Sequence, residues 1–158
     1  MRLAVTGHRG LTEATQRLVD AGLRRIIAEY AEGDLVGLSC IADGADSIFA
    51  QAILDAGATL VVIVPAAKYR AGLPKAHYPV YDKLFNRAAD VICLDYVEST
   101  PESYMAASIR MLENADMLLA VWDGMPARGY GGTADVVQAA RERNVPVTIV
   151  WPSGAARN

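Results

Sequence analysis

Short runs of β-branched and aliphatic residues alternate along the chain with longer stretches whose apolar residues recur at helical spacing. The run at 59–64 is typical of a strand that is covered on both faces of a parallel sheet. The pattern therefore predicts six strands, at 3–6, 35–39, 59–64, 91–95, 117–122 and 145–150.

The longer stretches predict five helices. In the first, Val19, Leu23 and Ile26 share one helical face, and Thr12 is the predicted N-cap. Pro101 suits the first turn of another, where its missing N–H costs no hydrogen bond. The predicted helices lie at 12–31, 45–56, 80–89, 101–114 and 132–143, with a long loop at 65–79.

This alternation predicts an α/β fold, namely a Rossmann-like three-layer α/β/α sandwich with a mostly parallel sheet of about six strands. Residues 1–152 form one predicted domain, without an internal repeat or a linker. The small, polar tail at 153–158 is expected to fray.

Composition and charge limit the partners. The 158 residues are 53% hydrophobic, and 15 basic against 18 acidic residues give a formal net charge of −3. Nucleic-acid binding usually goes with a basic excess, so this balance argues against nucleic acid as a partner. The apolar run near 60–64 is far shorter than the roughly 20 residues that span a bilayer, which predicts no membrane segment. The N-terminus does not resemble a signal peptide, so a cytoplasmic location is expected.

The two cysteines, Cys40 and Cys93, form no CxxC pair and have no histidine at ligand spacing. This pattern disfavours a metal site and a disulfide framework, and we expect reduced, mostly buried thiols. We predict neither a metal nor a cofactor.

Candidate ligand-binding residues follow the strands, because ligands of such sheets lie outside the carboxyl ends of the strands. After the first strand, Gly7 allows the backbone to approach a ligand closely, and Arg9 can donate two hydrogen bonds to a phosphate. The alternative is an ordinary turn with a solvated arginine. His8 is either a turn histidine whose hydrogen bonds are satisfied by the backbone or a ligand contact.

The loop after the second predicted strand offers helix N–H groups to an anion, and Asp43 and Asp46 either cap that helix or bind a ribose hydroxyl. The candidates in the second loop are Ala42, Asp43, Gly44 and Asp46.

The loop after the fifth strand carries the strongest motif. Three glycines within four positions, ending in Gly131 and Gly132, precede Thr133 at a predicted helix start, which favours phosphate binding. Asp123 opens this loop and is a further ligand candidate. Asp135 in the first helical turn either interacts with the helix dipole or contacts a sugar hydroxyl or a water. Neither a Walker A motif nor a GxGxxG follows the first strand, which disfavours P-loop NTPases and dinucleotide-binding dehydrogenases.

The loop after the third strand gathers basic and aromatic side chains, among them Lys68, Tyr69 and Arg70. It is either a lid that stacks on a base and neutralises phosphate, or a solvated loop whose tyrosines pack on the domain.

Together these motifs resemble the SLOG superfamily, which includes the LOG phosphoribohydrolases and the DNA-processing protein DprA. The resemblance covers about residues 2–152 and rests on the placement of VTGHR at 5–9, ADGAD at 42–46, AD at 115–116 and GGT at 131–133. It implies a Rossmann-like fold that binds nucleotides or nucleotide-derived ligands. It also implies a homodimer or higher homo-oligomer with sites near subunit boundaries.

In LOG enzymes the glycine-rich motif reads PGGxGTxxE, and its glutamate, with an arginine, assists cleavage of an N-glycosidic bond. This chain has Val136 where that glutamate falls, and Asp135 lies one residue earlier, about 100° away round a helix. The resemblance therefore leaves Asp135 and Arg128 as catalytic candidates, with Arg9 as an alternative arginine.

Three functional hypotheses follow. The leading one is a nucleotide-binding or sensor protein, in which Arg9 neutralises phosphate, the glycine loop cradles it, and an aspartate after a strand takes ribose hydroxyls. The alternative is a LOG-like nucleoside 5′-monophosphate phosphoribohydrolase, in which Asp135 acts at the sugar and water attacks the anomeric carbon. The third is a partner-binding domain whose glycine loops are vestigial.

Overall fold

A computed structural model describes residues 1–157 and contains one six-stranded sheet in the order β4-β3-β2-β1-β5-β6. All five strand pairs are parallel, so the predicted α/β Rossmann-like fold is confirmed and the sheet is fully rather than mostly parallel. The strands are β1 (Arg2–Gly7), β2 (Val36–Ser39), β3 (Thr59–Val64), β4 (Asp90–Cys93), β5 (Met117–Val121) and β6 (Val147–Ile149).

Within residues 1–157, five helices cover the two faces of the sheet. They are α1 (Glu13–Tyr30), α2 (Ala45–Asp55), α3 (Tyr78–Asn86), α4 (Pro101–Glu113) and α5 (Thr133–Glu142). The first three pack side by side, while α4 and α5 pack together. Right-handed crossovers explain this division, because the chain runs outward from β1 to β4 and then returns to β5 on the other side of β1.

Local sequence rules account for most helix ends. Thr12 caps α1 as predicted, since its side chain accepts the N–H of Thr15. Thr100 and Ser103 form a reciprocal capping box at α4. The predicted start of α3 at residue 80 is wrong, because the helix begins at Tyr78 and includes Pro79 in its first turn. The predicted loop before α3 contains two short 3₁₀ turns, Arg70–Gly72 and Lys75–His77.

The C-terminal segment packs on α1, so the expectation that it frays is wrong for its described part. The Ala156 N–H donates to Thr15 Oγ1 at 3.0 Å, and Thr15 Oγ1 donates to the Ala156 carbonyl at 3.2 Å. These two bonds hold residue 157 beside the carboxyl end of β1. Asn158, in the predicted tail, lies outside the described residues.

Gly7, the last residue of β1, lies where α2 and β5 approach each other most closely. A Cβ at this position would lie 2.4 Å from Ala45 Cβ and 2.7 Å from Val121 Cβ. No side chain fits there, so the missing methyl group allows α2 to approach the end of β1.

Replacing Gly7 with alanine is expected to destabilise the protein by about 3 kcal/mol, because both neighbours are buried and must move. Chemical denaturation would measure the change. Gly129→Ala is the matched control, since no atom lies within 4 Å of a Cβ at that position. Equal stability of the Gly7 variant and the wild type would show that this contact does not constrain the fold.

Candidate functional site

A cleft of about 480 Å³ lies at the carboxyl ends of the central strands. Its position is the switch point, where successive strands leave β1 on opposite sides. The loops after β1, β2, β3 and β5 form one side, and α4 forms the opposite wall. Of the residues predicted to form the site, the cleft is lined by Gly7, His8, Arg9, Ala42, Asp46, Arg128, Gly131, Gly132 and Thr133.

The charge of the cleft differs from that of the whole chain. Arg9, Arg128 and Arg157 line it, whereas Asp46 is the single acidic residue that lines it within the described part of the chain. A net charge of −3 therefore coexists with a cationic cleft. Such a cleft favours an anionic ligand.

His8 links three elements beneath the cleft and is only 3% exposed. Its Nε2 lies 3.0 Å from the Asp123 N–H and 3.2 Å from Asp123 Oδ1, and its Nδ1 lies 3.5 Å from Thr133 Oγ1. Trp151 packs edge-on against the ring. Burial and the nearby Arg157 lower the pKa of His8, and Asp123 only partly opposes this, so the imidazole is neutral at pH 7. The backbone N–H of Asp123 satisfies the ring, and His8 also lines the cleft, so a ligand contact stays a prediction.

Arg9 and Asp43 form a close ion pair at the rim. The Arg9 Nη2 and Nε atoms lie 2.8 and 2.9 Å from Asp43 Oδ1. Asp43 neither caps α2 nor lines the cleft. Its carboxylate instead neutralises much of the charge on Arg9.

Asp46 presents a carboxyl group to the cleft from the first turn of α2. Burial raises the pKa of Asp46 to about 7, although the Ala42 N–H at 3.4 Å and the charge of Arg9 oppose this shift. Gly44, predicted as a ligand contact, instead packs against the first loop: a Cβ there would lie 2.5 Å from the His8 carbonyl oxygen. Its φ of +88° also favours glycine. This close contact holds the start of α2, and with it Asp46, against β1.

The glycine loop is closed by Asp135. The Asp135 Oδ2 accepts the Gly131 N–H at 2.9 Å, and Gly131 adopts a φ of +82°. Asp135, a catalytic candidate from the resemblance, does not line the cleft. Its carboxylate shapes the loop instead. Val136 is 1% exposed and belongs to the core, so no carboxylate occupies the position of the LOG glutamate.

Asp123 lies behind the cleft rather than in its wall. Its Oδ1 accepts the Met125 N–H at 3.0 Å, and its Oδ2 lies 3.8 Å from Arg157 Nη1. We therefore assign Asp123 to holding His8 and Arg157 in place.

Several lining residues escaped the sequence analysis. Tyr104 and Ser108 lie on one face of α4, with Pro101 and Met111 at spacings of three and four residues, so helical periodicity was the signal that would have found them. Arg157 gave no such signal, because only its packing on α1 brings it to the cleft.

The lid hypothesis for the loop after β3 finds little support. Lys68 pairs with Glu98 at 2.7 Å, and Arg70 pairs with Asp82 at 2.8 Å, both away from the cleft. Tyr69 is 3% exposed and belongs to the cleft wall. Of the two thiols that were expected to be mostly buried, Cys40 is buried but Cys93 is exposed.

Solved structures share this architecture. DprA from Streptococcus pneumoniae superposes with a TM-score of 0.68 at 16% identity, covering 94% of this chain and 49% of that protein. DprA from Helicobacter pylori superposes with a TM-score of 0.70 at 15% identity, covering 99% of this chain and 68% of that protein. The molybdenum cofactor binding protein from Rippkaea orientalis superposes with a TM-score of 0.61 at 17% identity, covering 94% of this chain and 74% of that protein. The chain shares the fold of these three structures. It spans about half the length of the pneumococcal protein.

Sequence comparison adds no further assignment. No protein-family model matches the chain, and no curated protein matches it in sequence. No helix within residues 1–157 is long and apolar enough to cross a membrane. The same residues contain no cluster of three or more histidine, cysteine, aspartate or glutamate side chains arranged for a metal ion.

The expectation that nucleic acid is an unlikely partner is wrong. Two of the structural neighbours are DNA-processing proteins, and the Helicobacter pylori protein is described by its single-stranded DNA binding mode. The exclusion rested on net charge, which averages over a chain whose cleft is lined by three arginines.

Replacing Asp46 with asparagine is expected to stabilise the protein at pH 8. The folded-state pKa of about 7 lies above the ordinary value of 3.8, so ionised Asp46 destabilises the fold as pH rises between these values. The free energy of unfolding should increase by about 2 kcal/mol at pH 8, and the advantage should shrink as pH falls towards 4. Denaturation at several pH values would measure it, and a variant equally or less stable at pH 8 would contradict it.

Proposed function

We propose that this chain binds a small phosphate-bearing ligand of the nucleotide class in the cleft. The observation that carries the proposal is the lining itself, in which three arginines face one acidic residue at the switch point of a parallel sheet. Anionic ligands bind such sheets at the carboxyl ends of the strands, and a volume of about 480 Å³ suits a molecule of nucleotide size.

The loop after β5 is the best candidate for the phosphate. Glycines at 131 and 132 allow a close turn there, since a Cβ would lie 3.0 Å from Pro101 O or from Ala127 Cβ respectively. No protein acceptor within residues 1–157 takes the N–H groups of Thr133 and Ala134 at the start of α5. Free N–H groups and the helix dipole favour a negative charge at this end. Arg128, in the same loop, and Arg157 also line the cleft.

Arg9 contributes less charge than the sequence suggests. Its guanidinium is paired with Asp43 at 2.8 Å, whereas Arg157 approaches Asp123 only to 3.8 Å. Arg157, which lies near Asp123 after β5, is therefore less neutralised than Arg9, and this difference favours the β5 side of the cleft as the anion end.

Phosphoribohydrolase activity has weaker support. Cleavage of an N-glycosidic bond calls for a carboxylate near the anomeric carbon. Val136 is buried at the position of the LOG glutamate, and the Asp135 carboxylate accepts the Gly131 N–H. Base release from a panel of nucleoside monophosphates tests this alternative directly.

A thermal-shift screen tests binding. The panel contains nucleoside mono-, di- and triphosphates, ADP-ribose, NAD, cyclic dinucleotides and a short single-stranded oligonucleotide. A ligand at 100 times its dissociation constant adds about 2.7 kcal/mol of stability, which raises the melting temperature measurably. We expect Arg157→Ala to weaken binding of the best nucleotide about tenfold, because a charge-assisted contact is lost.

Arg25→Ala is the matched control, because it removes the same charge from an exposed position on α1. It should leave the affinity unchanged. The absence of a shift with every phosphate-bearing compound, or an equal loss of affinity in the two variants, would contradict the proposal.

A further inference from the structure

Besides Asp135, whose Oδ2 accepts the Gly131 N–H, three aspartates lie close to the cleft, and two of these three already have strong partners. Asp43 holds Arg9 through contacts of 2.8 and 2.9 Å. Asp123 accepts the Met125 N–H at 3.0 Å and lies 3.2 Å from His8 Nε2. Neither side chain lines the cleft.

Asp46 differs from both. Its Oδ2 accepts only the Ala42 N–H, at 3.4 Å, and its Oδ1 has no protein partner among residues 1–157. The side chain lines the cleft. A carboxylate held there with so few donors retains capacity to accept hydrogen bonds from a ligand.

The order of the strands locates Asp46 along the cleft. Going from the glycine loop, the sheet presents β5, β1, β2 and β3 in turn. Neighbouring strands lie about 4.8 Å apart. Asp46 is held between the ends of β1 and β2, so it lies about 5–10 Å from the loop after β5, whereas the loop after β3 is about 14 Å away. A ligand with its phosphate at the glycine loop thus presents its middle towards Asp46 and its far end towards Tyr69.

We infer that Asp46 binds the vicinal 2′,3′-diol of a ribose, so that the ligand is a ribonucleotide rather than a deoxyribonucleotide. This inference rests on the proposed function, because it takes the phosphate to lie at the β5 side. In a nucleoside 5′-monophosphate the sugar lies between phosphate and base, which is the position that Asp46 faces. The two hydroxyls donate to the carboxylate, and a deoxy sugar leaves part of it desolvated without a donor.

The far end of the cleft suits the base. Tyr69 and Tyr104 form its wall, with ring centroids 5.9 Å apart in an edge-to-face arrangement. The Tyr104 hydroxyl accepts the Ser99 Oγ hydrogen at 2.8 Å, which helps to hold its ring in this wall. Such a wall accepts an aromatic base without reading its identity strongly.

Isothermal titration with AMP, GMP, CMP and UMP and with their 2′-deoxy, 3′-deoxy and 2′,3′-dideoxy counterparts tests the inference. The titrations are run at pH 8.5, where Asp46 is ionised. We expect wild-type protein to bind the best ribonucleotide about tenfold more tightly than its dideoxy counterpart. Asp46→Asn should reduce this ratio to less than threefold, because the diol loses its charged acceptor and the dideoxy compound no longer leaves a carboxylate desolvated.

Asp34→Asn provides the control, because Asp34 is exposed just before β2, at the amino end of the sheet and away from the cleft. It should keep the wild-type ratio. Equal binding of ribo and dideoxy compounds by wild type, or an unchanged ratio in Asp46→Asn, would overturn this inference while leaving the proposed function intact. Failure of both series to bind would overturn the proposed function, and this inference with it.

Discussion

The close approach of α2 to the end of β1 is the constraint on which the rest of the site depends. Only a hydrogen atom fits at Gly7 between Ala45 and Val121. Gly44 meets the His8 carbonyl in the same way from the other side. These two glycines hold the first turn of α2 over β1, which brings Asp46 into the cleft. A methyl group at either position would separate the loops that form the cleft floor.

The fold was largely predictable because its signals are local. The apolar run of β3 has the predicted bounds, and Thr12 caps α1 where its position before an amphipathic stretch indicates. Errors occurred where tertiary contacts decide the outcome. Pro79 belongs to a helix turn rather than a loop, and the C-terminal segment is held by Thr15, which lies 141 residues earlier in the chain. No local pattern in the sequence reports that contact.

The sequence predicted which loops form the site, but it did not predict what each acidic residue in those loops does. Strand ends with glycines indicated where a ligand belongs, and most of the candidate residues line one cleft. The roles of the acidic residues depend on which donors they meet after folding. Asp135 meets the Gly131 N–H, Asp43 meets Arg9, and Asp46 meets few donors at all. Spacing along the chain does not distinguish these environments.

The net charge of the chain also fails to predict the charge of the residues that line the cleft. The whole chain is acidic, yet the cleft gathers three arginines from three separate segments. One of them, Arg157, reaches the cleft only because the C-terminal segment packs on α1. Local potential, rather than net charge, governs which ligands approach such a site.

The most direct test of the account is an amide NMR titration of the protein with AMP. If the phosphate binds at the N-terminus of α5, the resonances of Thr133 and Ala134 should shift in a saturable manner, together with those of the residues after β1 and β2. Resonances at the amino end of the sheet, such as Asp34, should not move. Saturable shifts confined to another surface, such as the groove between α1 and α2, would contradict the central claim that the phosphate binds at the carboxyl end of β5.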